Sequence, residues 1–366
     1  NINLQNPLTM KRTTMSFTNV LIALFLTVSI LGYGQTKKLP NIVILATGGT
    51  IAGAGASSTG SAYTSGQVKI EAMIDAVPNI RTLANLKGEQ LANVGSQDMS
   101  VKVWLDLSKR INELLKSNDC DGVVITHGTD TQEETAFFLN LTIKSDKPVV
   151  LTGSMRPSTA LSADGPLNMY NAVALAASPL AKGYGVMVLM NDEIHSAHGV
   201  KKMITTPVQT FQSPEEGMLG TVNFGLVEFF HKPHGLHTTQ SEFSVDGVTS
   251  LPRVDIVYTC ADVSTDLIDI MVKAGAKGIV IAGVGDGNMN AGTLEAAKKA
   301  AKAGIWVVRC SRVPIGTVLV NGEVNDKEFG TICGDELNPQ KARVLLMLAM
   351  QKKRSWDEMQ KLFLEY

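Results

Sequence analysis

The stretch NIVILATGGTIAG occupies residues 41–53 and decides the fold class of the chain. Its first part, residues 41–46, is a short run rich in Ile and Val, which is typical of a strand buried on both faces of a parallel sheet. Gly48, Gly49 and the hydroxyl residue Thr50 follow at once. A glycine-rich turn after a buried strand lets backbone amides approach a small polar ligand closely. The stretch therefore predicts a parallel sheet, with Thr50 as the first candidate for chemistry.

Short β-rich runs alternate with helical periodicity after this stretch. The runs at 121–126, 148–153 and 183–191 predict three further strands. Between the strands predicted at 41–46 and 121–126, apolar residues recur at helical spacing across residues 101–117. This spacing predicts an amphipathic helix that faces the core. Such alternation is the pattern of parallel strands joined by crossover helices.

The alternation is lost between Lys202 and Pro252 and restarts at Arg253. The elements predicted for the second block are strands at 253–258, 277–284 and 305–309 and helices at 266–274, 291–303 and 342–352, the last of which ends the body of the protein. We therefore predict an α/β protein with two domains. The larger N-terminal domain, at 40–235, has a mainly parallel sheet flanked by helices. A linker at 236–252 leads to a smaller C-terminal α/β domain at 253–366.

The first 35 residues predict a signal peptide. Lys11 and Arg12 precede an apolar run at 20–31, and a segment rich in small residues follows at 32–35, which is the three-part layout of a secretory signal. The apolar run is too short for an ordinary transmembrane helix, although a retained membrane anchor is the alternative. We expect export, a mature chain that begins near Gln35 and leaves the membrane, and a periplasmic location in a Gram-negative bacterium.

Composition and motifs exclude several classes of function. The 33 basic and 34 acidic residues balance, and no basic run is present, so we expect no nucleic-acid partner. Neither GxGxxG nor GxxxxGK[ST] occurs, and a GxSxG elbow is absent, so we expect no nucleotide cofactor and no serine hydrolase.

The four cysteines are far apart and form no CxxC pair, which favours free buried thiols. His195 and His198 lack a third well-spaced ligand, and an exposed polar loop explains them, so we expect no metal.

Two predicted strand ends carry threonines. Thr50 follows the first strand, and Thr129 lies in the segment THGTDT at 126–131 after the second. Ligands bind outside the carboxyl ends of the strands in an open parallel sheet, so we expect both threonines to share one crevice. A threonine hydroxyl needs a base or a proton relay to act as a nucleophile. The oxyanion that forms on the attacked carbonyl needs hydrogen-bond donors, and the backbone amides of these two loops are candidates for them. The alternative is that both threonines are helix N-caps.

Five segments spread along the chain together resemble the type II L-asparaginases, which are exported amidohydrolases that include glutaminase-asparaginases. The segments are ATGGTIAG, GEQLANVGSQDM, ITHGTDTQEETAFFL, MRPSTALSADGP and LNPQKARVLLMLA. The resemblance runs from about residue 40 to residue 366. It implies hydrolysis of L-asparagine to L-aspartate and ammonia, with no cofactor.

The resemblance implies roles for individual residues. Thr50 corresponds to the primary nucleophile, with Tyr63 in AYTSG packed against it, and Lys202 in KKMITT completes a relay with Thr129 and Asp130. Taken singly, Tyr63 could be a surface tyrosine, and Lys202 could be half of a solvated lysine pair.

Other implied roles concern the amino-acid head group of the substrate. Ser96 and Gln97 in GSQDM correspond to the pair that holds the α-carboxylate, and Asp130 receives the α-amino group. Asn288 in GDGN and Glu323 in NGEVND correspond to positions that complete the site of a neighbouring subunit, so the resemblance implies a homotetramer built as a dimer of dimers. Taken singly, the Ser96 segment could be a turn or a helix cap, and Glu323 could be only a turn residue.

Several alternatives stay open. Asp286 stands where the family commonly has an amide or a small residue, which adds negative charge near the expected head-group site. A broad glutaminase-asparaginase differs from an asparaginase by one methylene of substrate, worth about 1–3 kcal/mol, which no motif reports. An amino-acid-binding protein that keeps the same residues without turnover is an alternative from another class.

Overall fold

The computed structural model describes residues 38–60, 62, 64 and 66–366. The predicted signal peptide and Tyr63 lie outside the described residues. Residues 40–366 form one compact unit that contains a mainly parallel sheet of eight strands and a separate parallel sheet of four strands. Among its described helices none is long and apolar enough to cross a bilayer. The predicted fold class, α/β with a larger N-terminal sheet and a smaller C-terminal one, is confirmed.

The described residues of the N-terminal part form ten strands. They are β1 (Asn41–Gly48), β2 (Asn85–Val94), β3 (Gly122–Thr126), β4 (Val149–Thr152), β5 (Val186–Met190), β6 (Glu193–Ser196), β7 (Lys201–Lys202), β8 (Phe211–Gln212), β9 (Gly220–Asn223) and β10 (Leu226–Phe229). Eight of them form one sheet in the order β10-β9-β6-β5-β4-β3-β1-β2, and β7 pairs with β8 in a separate two-stranded sheet. The five neighbouring strands β2, β1, β3, β4 and β5 are parallel. Beyond β5, the strands β6, β9 and β10 continue the sheet through antiparallel pairs.

Helices cover both faces of the large sheet. They are α1 (Ile70–Asp75), α2 (Val101–Lys116), α3 (Gln132–Thr142) and α4 (Gly165–Ala177). Along β1, Val43 and Leu45 pack into the same core as α2 and α3, while Ile42 and Ile44 pack into the core that contains α1 and α4. Burial on both faces is the reason for the continuous apolar run of β1.

The C-terminal part contains the second sheet. Its strands, all parallel and adjacent in chain order, are β11 (Val254–Tyr258), β12 (Gly278–Gly283), β13 (Trp306–Ser311) and β14 (Thr331–Cys333). The helices are α5 (Leu267–Lys273), α6 (Ala291–Lys302), α7 (Asp326–Phe329), α8 (Pro339–Ala349) and α9 (Trp356–Glu365). The buried face of α8 belongs to the same core as Phe137 of α3 and Val280 of β12, so this helix joins the two sheets.

The predicted strands correspond to β1, β3, β4 and β5 of the large sheet and to β11, β12 and β13 of the small one, within about three residues at each end. No predicted strand covers the parallel strands β2 and β14. Two expectations about elements are wrong. The body of the protein does not end with the helix predicted at 342–352, because α9 follows it, held at its start by a capping box of Ser355 and Glu358. The stretch from Lys202 to Pro252 is also more regular than its composition indicates, since it contains β8, β9 and β10.

Two expectations about reactive side chains also need correction. The segment that begins at His195 is not an exposed polar loop: His195 lies on β6, and both His195 and His198 are buried. All four cysteines are free, as expected, and three are buried, but Cys260 is exposed. Among the described residues, no group of three or more His, Cys, Asp or Glu side chains is placed to hold a metal ion.

Candidate active site

The carboxyl ends of β1, β2 and β3 meet in close contact. Gly49 has φ of +81°, and a Cβ atom there would lie 2.4 Å from the nitrogen of Gly128. A Cβ atom on Gly128 would lie 2.7 Å from Oγ of Ser96. Only residues without a side chain allow this approach. The two glycines therefore bring the loop of Thr50 against the loop of Thr129.

Ser96 joins the ends of β2 and β3. Its Oγ accepts the backbone N–H of Asp130 at 3.1 Å, and its carbonyl oxygen accepts the hydroxyl of Thr131 at 2.8 Å. The N–H of Gly49 donates to the carbonyl of Val94 at 3.2 Å. The Gly49 amide is thus already engaged with β2, which removes it from the oxyanion donors expected in the glycine-rich turn.

Thr50 is the first residue of a short 3-10 helix, Thr50–Ala52. The two residues that follow, Ile51 and Ala52, are buried in the core beside α1 and α4. Burial of these neighbours fixes the backbone at Thr50, whose side chain is itself mostly buried and lines a cavity.

A cavity of about 450 Å³ opens above these strand ends. Six of the site residues predicted from sequence line it: Thr50, Ser96, Gln97, Thr129, Asp130 and Lys202. The two threonines therefore share one cavity, as the strand-end argument predicts. Sequence reasoning did not name Arg156, Thr205 or Thr206, which line the same cavity. Arg156 follows the end of β4, so the strand-end rule that selected the threonines could also have selected it.

Lys202 supplies the ammonium group of the site. Its Nζ donates to Oγ1 of Thr129 at 3.0 Å and to Oδ1 of Asp130 at 2.6 Å. The Lys202 side chain is only 16% exposed, whereas that of Asp130 is 59% exposed. The Asp130 carboxylate is therefore held by the lysine on one side and open to the cavity on the other. The hydroxyl of Thr129 accepts from the lysine and keeps its own proton to donate.

A buried chain of hydrogen bonds supports the backbone beside Thr129. Nε1 of Trp104 donates to Oγ1 of Thr135 at 2.8 Å, and this hydroxyl lies 2.9 Å from Nε2 of His127. The other ring nitrogen, Nδ1, lies 2.7 Å from the carbonyl of Gly128. These partners fit a neutral ring that donates from Nδ1. Complete burial lowers the pKa of His127 to about 4, so the ring supports the loop and does not carry charge at neutral pH.

Asn288 and Glu323 do not line this cavity. They lie on two loops of the C-terminal part, and their side chains are hydrogen-bonded to each other. Asp286 does not line the cavity either, and its carboxylate accepts the N–H of Leu319 at 2.8 Å, which ties the two loops together. Tyr63 lies outside the described residues, so no position is assigned to it.

Comparisons with known proteins agree with this geometry. Residues 41–235 match the family model described as "Asparaginase, N-terminal", and residues 253–363 match the one described as "Glutaminase/Asparaginase C-terminal domain". The chain is 51% identical to a probable periplasmic L-asparaginase of Haemophilus influenzae, over 91% of this chain and 95% of the relative. It is 49% identical to L-asparaginase 2 of Escherichia coli, with the same shares covered.

Two further relatives widen the comparison. A glutaminase-asparaginase of Pseudomonas fluorescens biotype A is 48% identical over 91% of this chain and 92% of the relative. The crystal structure of a probable cytoplasmic L-asparaginase from Campylobacter jejuni superposes with a TM-score of 0.87 and 49% identity, over 89% of this chain and 100% of that one. With both family models matched in order and about half of all residues shared over nine-tenths of its length, this chain belongs to the asparaginase family.

Proposed function

We propose that this protein hydrolyses L-asparagine to L-aspartate and ammonia, with Thr50 as the nucleophile. The observation that carries the proposal is the shared cavity, which Thr50 lines together with the hydrogen-bonded group of Thr129, Asp130 and Lys202. A hydroxyl nucleophile needs a proton relay within reach, and this group is a relay that ends in an ion pair.

The reaction proceeds in two halves. Oγ1 of Thr50 forms a bond to the side-chain carbonyl carbon of asparagine, the C–N bond breaks, and the hydroxyl proton leaves with the nitrogen as ammonia. A water molecule then attacks the ester, which yields aspartate and restores the hydroxyl. Thr129 accepts a hydrogen bond from Lys202 and can donate its own proton, so it can pass protons between the reacting atoms and the lysine.

The head group of an amino acid carries both signs of charge, and the cavity offers partners for each. The exposed carboxylate of Asp130 is suited to the α-ammonium. The hydroxyl of Ser96 accepts the backbone N–H of Asp130, so the hydroxyl proton of Ser96 is free to donate to the α-carboxylate. Gln97, which carries a side-chain amide, lines the same cavity.

A second copy of the chain is proposed to complete the site through Asn288 and Glu323, within a homotetramer built as a dimer of dimers. Apolar side chains that no described residue covers lie near these loops and support an interface: Val313, Ile315 and Leu319 are about half exposed or more. Sedimentation of the purified protein tests the assembly state.

L-Glutamine is the second candidate substrate. One relative of nearly equal identity is named a glutaminase-asparaginase, and the cavity of about 450 Å³ has room for one additional methylene.

The proposal also includes export of the protein. It is supported by the layout of the N-terminal sequence and by one relative that is named as periplasmic. Amino-terminal sequencing of the protein recovered from a periplasmic extract tests it, and a chain that keeps the apolar run at 20–31 would contradict it.

The decisive experiment measures ammonia release from asparagine and from glutamine by the unmodified chain, by Thr50→Ala and by Thr82→Ala. Thr82 is the control, because it also lies in a short 3-10 helix but does not line the cavity. We expect the unmodified chain and Thr82→Ala to release ammonia, and Thr50→Ala to lose this activity while it still binds aspartate. A binding protein would bind aspartate and release no ammonia in any of the three forms.

A further inference from the structure

Lys202 sits on a strand that the large sheet does not hold. Its strand, β7, is two residues long and pairs with the equally short β8. Such a short pair fixes few backbone dihedrals, and a flexible four-carbon side chain adds further freedom. Nevertheless Nζ of Lys202 lies within hydrogen-bond distance of both Thr129 and Asp130. The backbone before Lys202 must therefore be held by other contacts.

Lys341 supplies the first of these contacts. It lies in the first turn of α8 and is fully buried, and its Nζ donates to the carbonyl oxygens of His198 and Val200 at 2.5 Å each. Burial of an ammonium is costly unless its protons are bonded, so these two carbonyls are its partners of necessity. Burial lowers the pKa of Lys341 to about 8, which leaves the group charged at neutral pH. A charged donor makes a stronger bond to a carbonyl than a neutral one does.

Glu133 supplies the second contact. It is buried in the first turn of α3, and its Oε2 accepts the backbone N–H of Lys202 at 3.1 Å. Its Oε1 lies 3.4 Å from Nδ2 of Asn338. Asn338 is the N-cap of α8 and accepts the N–H of Lys341 at 3.0 Å. The two contacts therefore converge on the start of one helix.

We propose that Glu133 and Lys341 are positioning residues for Lys202, which together clamp the backbone of residues 198–202 so that Nζ of Lys202 meets Thr129 and Asp130. The inference rests on the proposed function of that lysine. It gives α8, a helix of the C-terminal part, a role in the active site of its own chain. The neighbouring lysine on the same strand, Lys201, does not reach Thr129 or Asp130, since its Nζ pairs with Oε1 of Glu215 at 2.9 Å.

The test compares Glu133→Ala, Glu133→Gln and Asn140→Ala in the full chain. Asn140 is a matched control, because it is buried on the same helix and accepts a backbone N–H, that of Val186, at 2.9 Å. A misplacement of about 1 Å costs on the order of 100-fold in rate, so we expect kcat of Glu133→Ala to fall by about that factor, while KM changes by less than about threefold. Glu133→Gln keeps an acceptor for the N–H of Lys202 and should recover most of the activity.

The pH profile of kcat separates positioning from loss of folded protein. A displaced Lys202 should shift at least one limb of the profile by about half a unit or more in Glu133→Ala. Lys341→Met should lower kcat in the same way, because it removes both bonds to the 198–200 backbone. The inference is overturned if Asn140→Ala loses as much kcat as Glu133→Ala, or if the profile keeps its shape while kcat falls.

A crystal structure of Glu133→Ala gives a readout that does not depend on activity. We expect Nζ of Lys202 to move away from Oγ1 of Thr129 by about 1 Å or more, and an unmoved Nζ would overturn the inference. Glu133→Asp, which withdraws the acceptor by one methylene length, replaces Glu133→Ala if the latter does not fold. An unmodified chain that releases no ammonia from asparagine or glutamine would overturn the proposed function, whereas an active chain unaffected by Glu133→Ala would overturn only the clamp.

Discussion

Gly49 and Gly128 hold the two threonine-bearing loops of this protein in backbone contact. A Cβ atom on Gly49 would lie 2.4 Å from the nitrogen of Gly128 and 2.5 Å from its Cα, closer than side-chain atoms approach a backbone. The contact joins the ends of β1 and β3, which are neighbours in the sheet. It is the feature that lets Thr50 and Thr129 line one cavity.

Gly49→Ala should therefore lower kcat by about 100-fold or more. The new methyl group must push the two loops apart, and displacement of a nucleophile by about 1 Å costs on the order of 100-fold in rate. Ammonia release and thermal unfolding measure the two effects. Gly183→Ala is the matched control, because Gly183 has a similar φ of +75° but no atom within 4 Å of the added Cβ. Equal losses of activity in the two variants would contradict the importance of the contact.

The hydroxyl of Thr129 should be required for proton transfer. Thr129→Val keeps the shape of the side chain but removes the acceptor that Nζ of Lys202 contacts at 3.0 Å. We expect kcat to fall by about 10²- to 10⁴-fold, the usual contribution of a positioned acid or base. Thr129→Ser restores the hydroxyl and should recover most of the rate. If the valine variant kept its rate, Thr129 would have no part in the relay.

Mixed oligomers test whether Glu323 acts in the site of a second copy. Thr50→Ala and Glu323→Ala should each be inactive alone. After subunit exchange, a mixed dimer would contain one site with both native residues, so a random mixture should recover about a quarter of the activity of the unmodified protein. Ammonia release before and after exchange measures this recovery. A mixture that stays inactive would place Thr50 and Glu323 of the same copy in one site. A Glu323→Ala variant that is active alone would give Glu323 no role.

Glu134 should make the stability of the protein depend on pH. Burial raises the pKa of Glu134 from 4.5 to about 7, against an opposing effect of Arg343. The folded protein thus favours the protonated acid, so this contribution to stability is present below pH 4.5 and is lost as the pH rises through about 7. Glutamine resembles the protonated acid at every pH.

We therefore expect Glu134→Gln to unfold like the unmodified protein at pH 4.5 and to be more stable at pH 8, by about 1–3 kcal/mol. Urea unfolding at the two pH values measures the difference. Glu113→Gln, at an exposed position of α2, is the control and should show no such change with pH. An equal effect of Glu134→Gln at both pH values would show that its charge is not the cause.

Several strands that the sequence does not predict lack strong local patterns. β2 lies at the edge of the large sheet and is only half-buried, so its sequence NLKGEQLANV shows no continuous apolar run. The antiparallel strands β8, β9 and β10 are two to four residues long, which is too short for a periodicity to emerge. The helix α9, by contrast, has a local signal, the capping box of Ser355 and Glu358.

The sequence by itself determined the α/β class, most of the parallel strands and the crevice shared by Thr50 and Thr129. It could do so because buried parallel strands are continuous apolar runs, and because the carboxyl ends of parallel strands lie at one edge of the sheet. Only the tertiary structure decided what holds Lys202 in place. Glu133 lies 69 residues from Lys202 along the chain, and Lys341 lies 143 residues from His198. Such contacts arise from the packing of α8 against α3, and local sequence patterns carry no information about that packing.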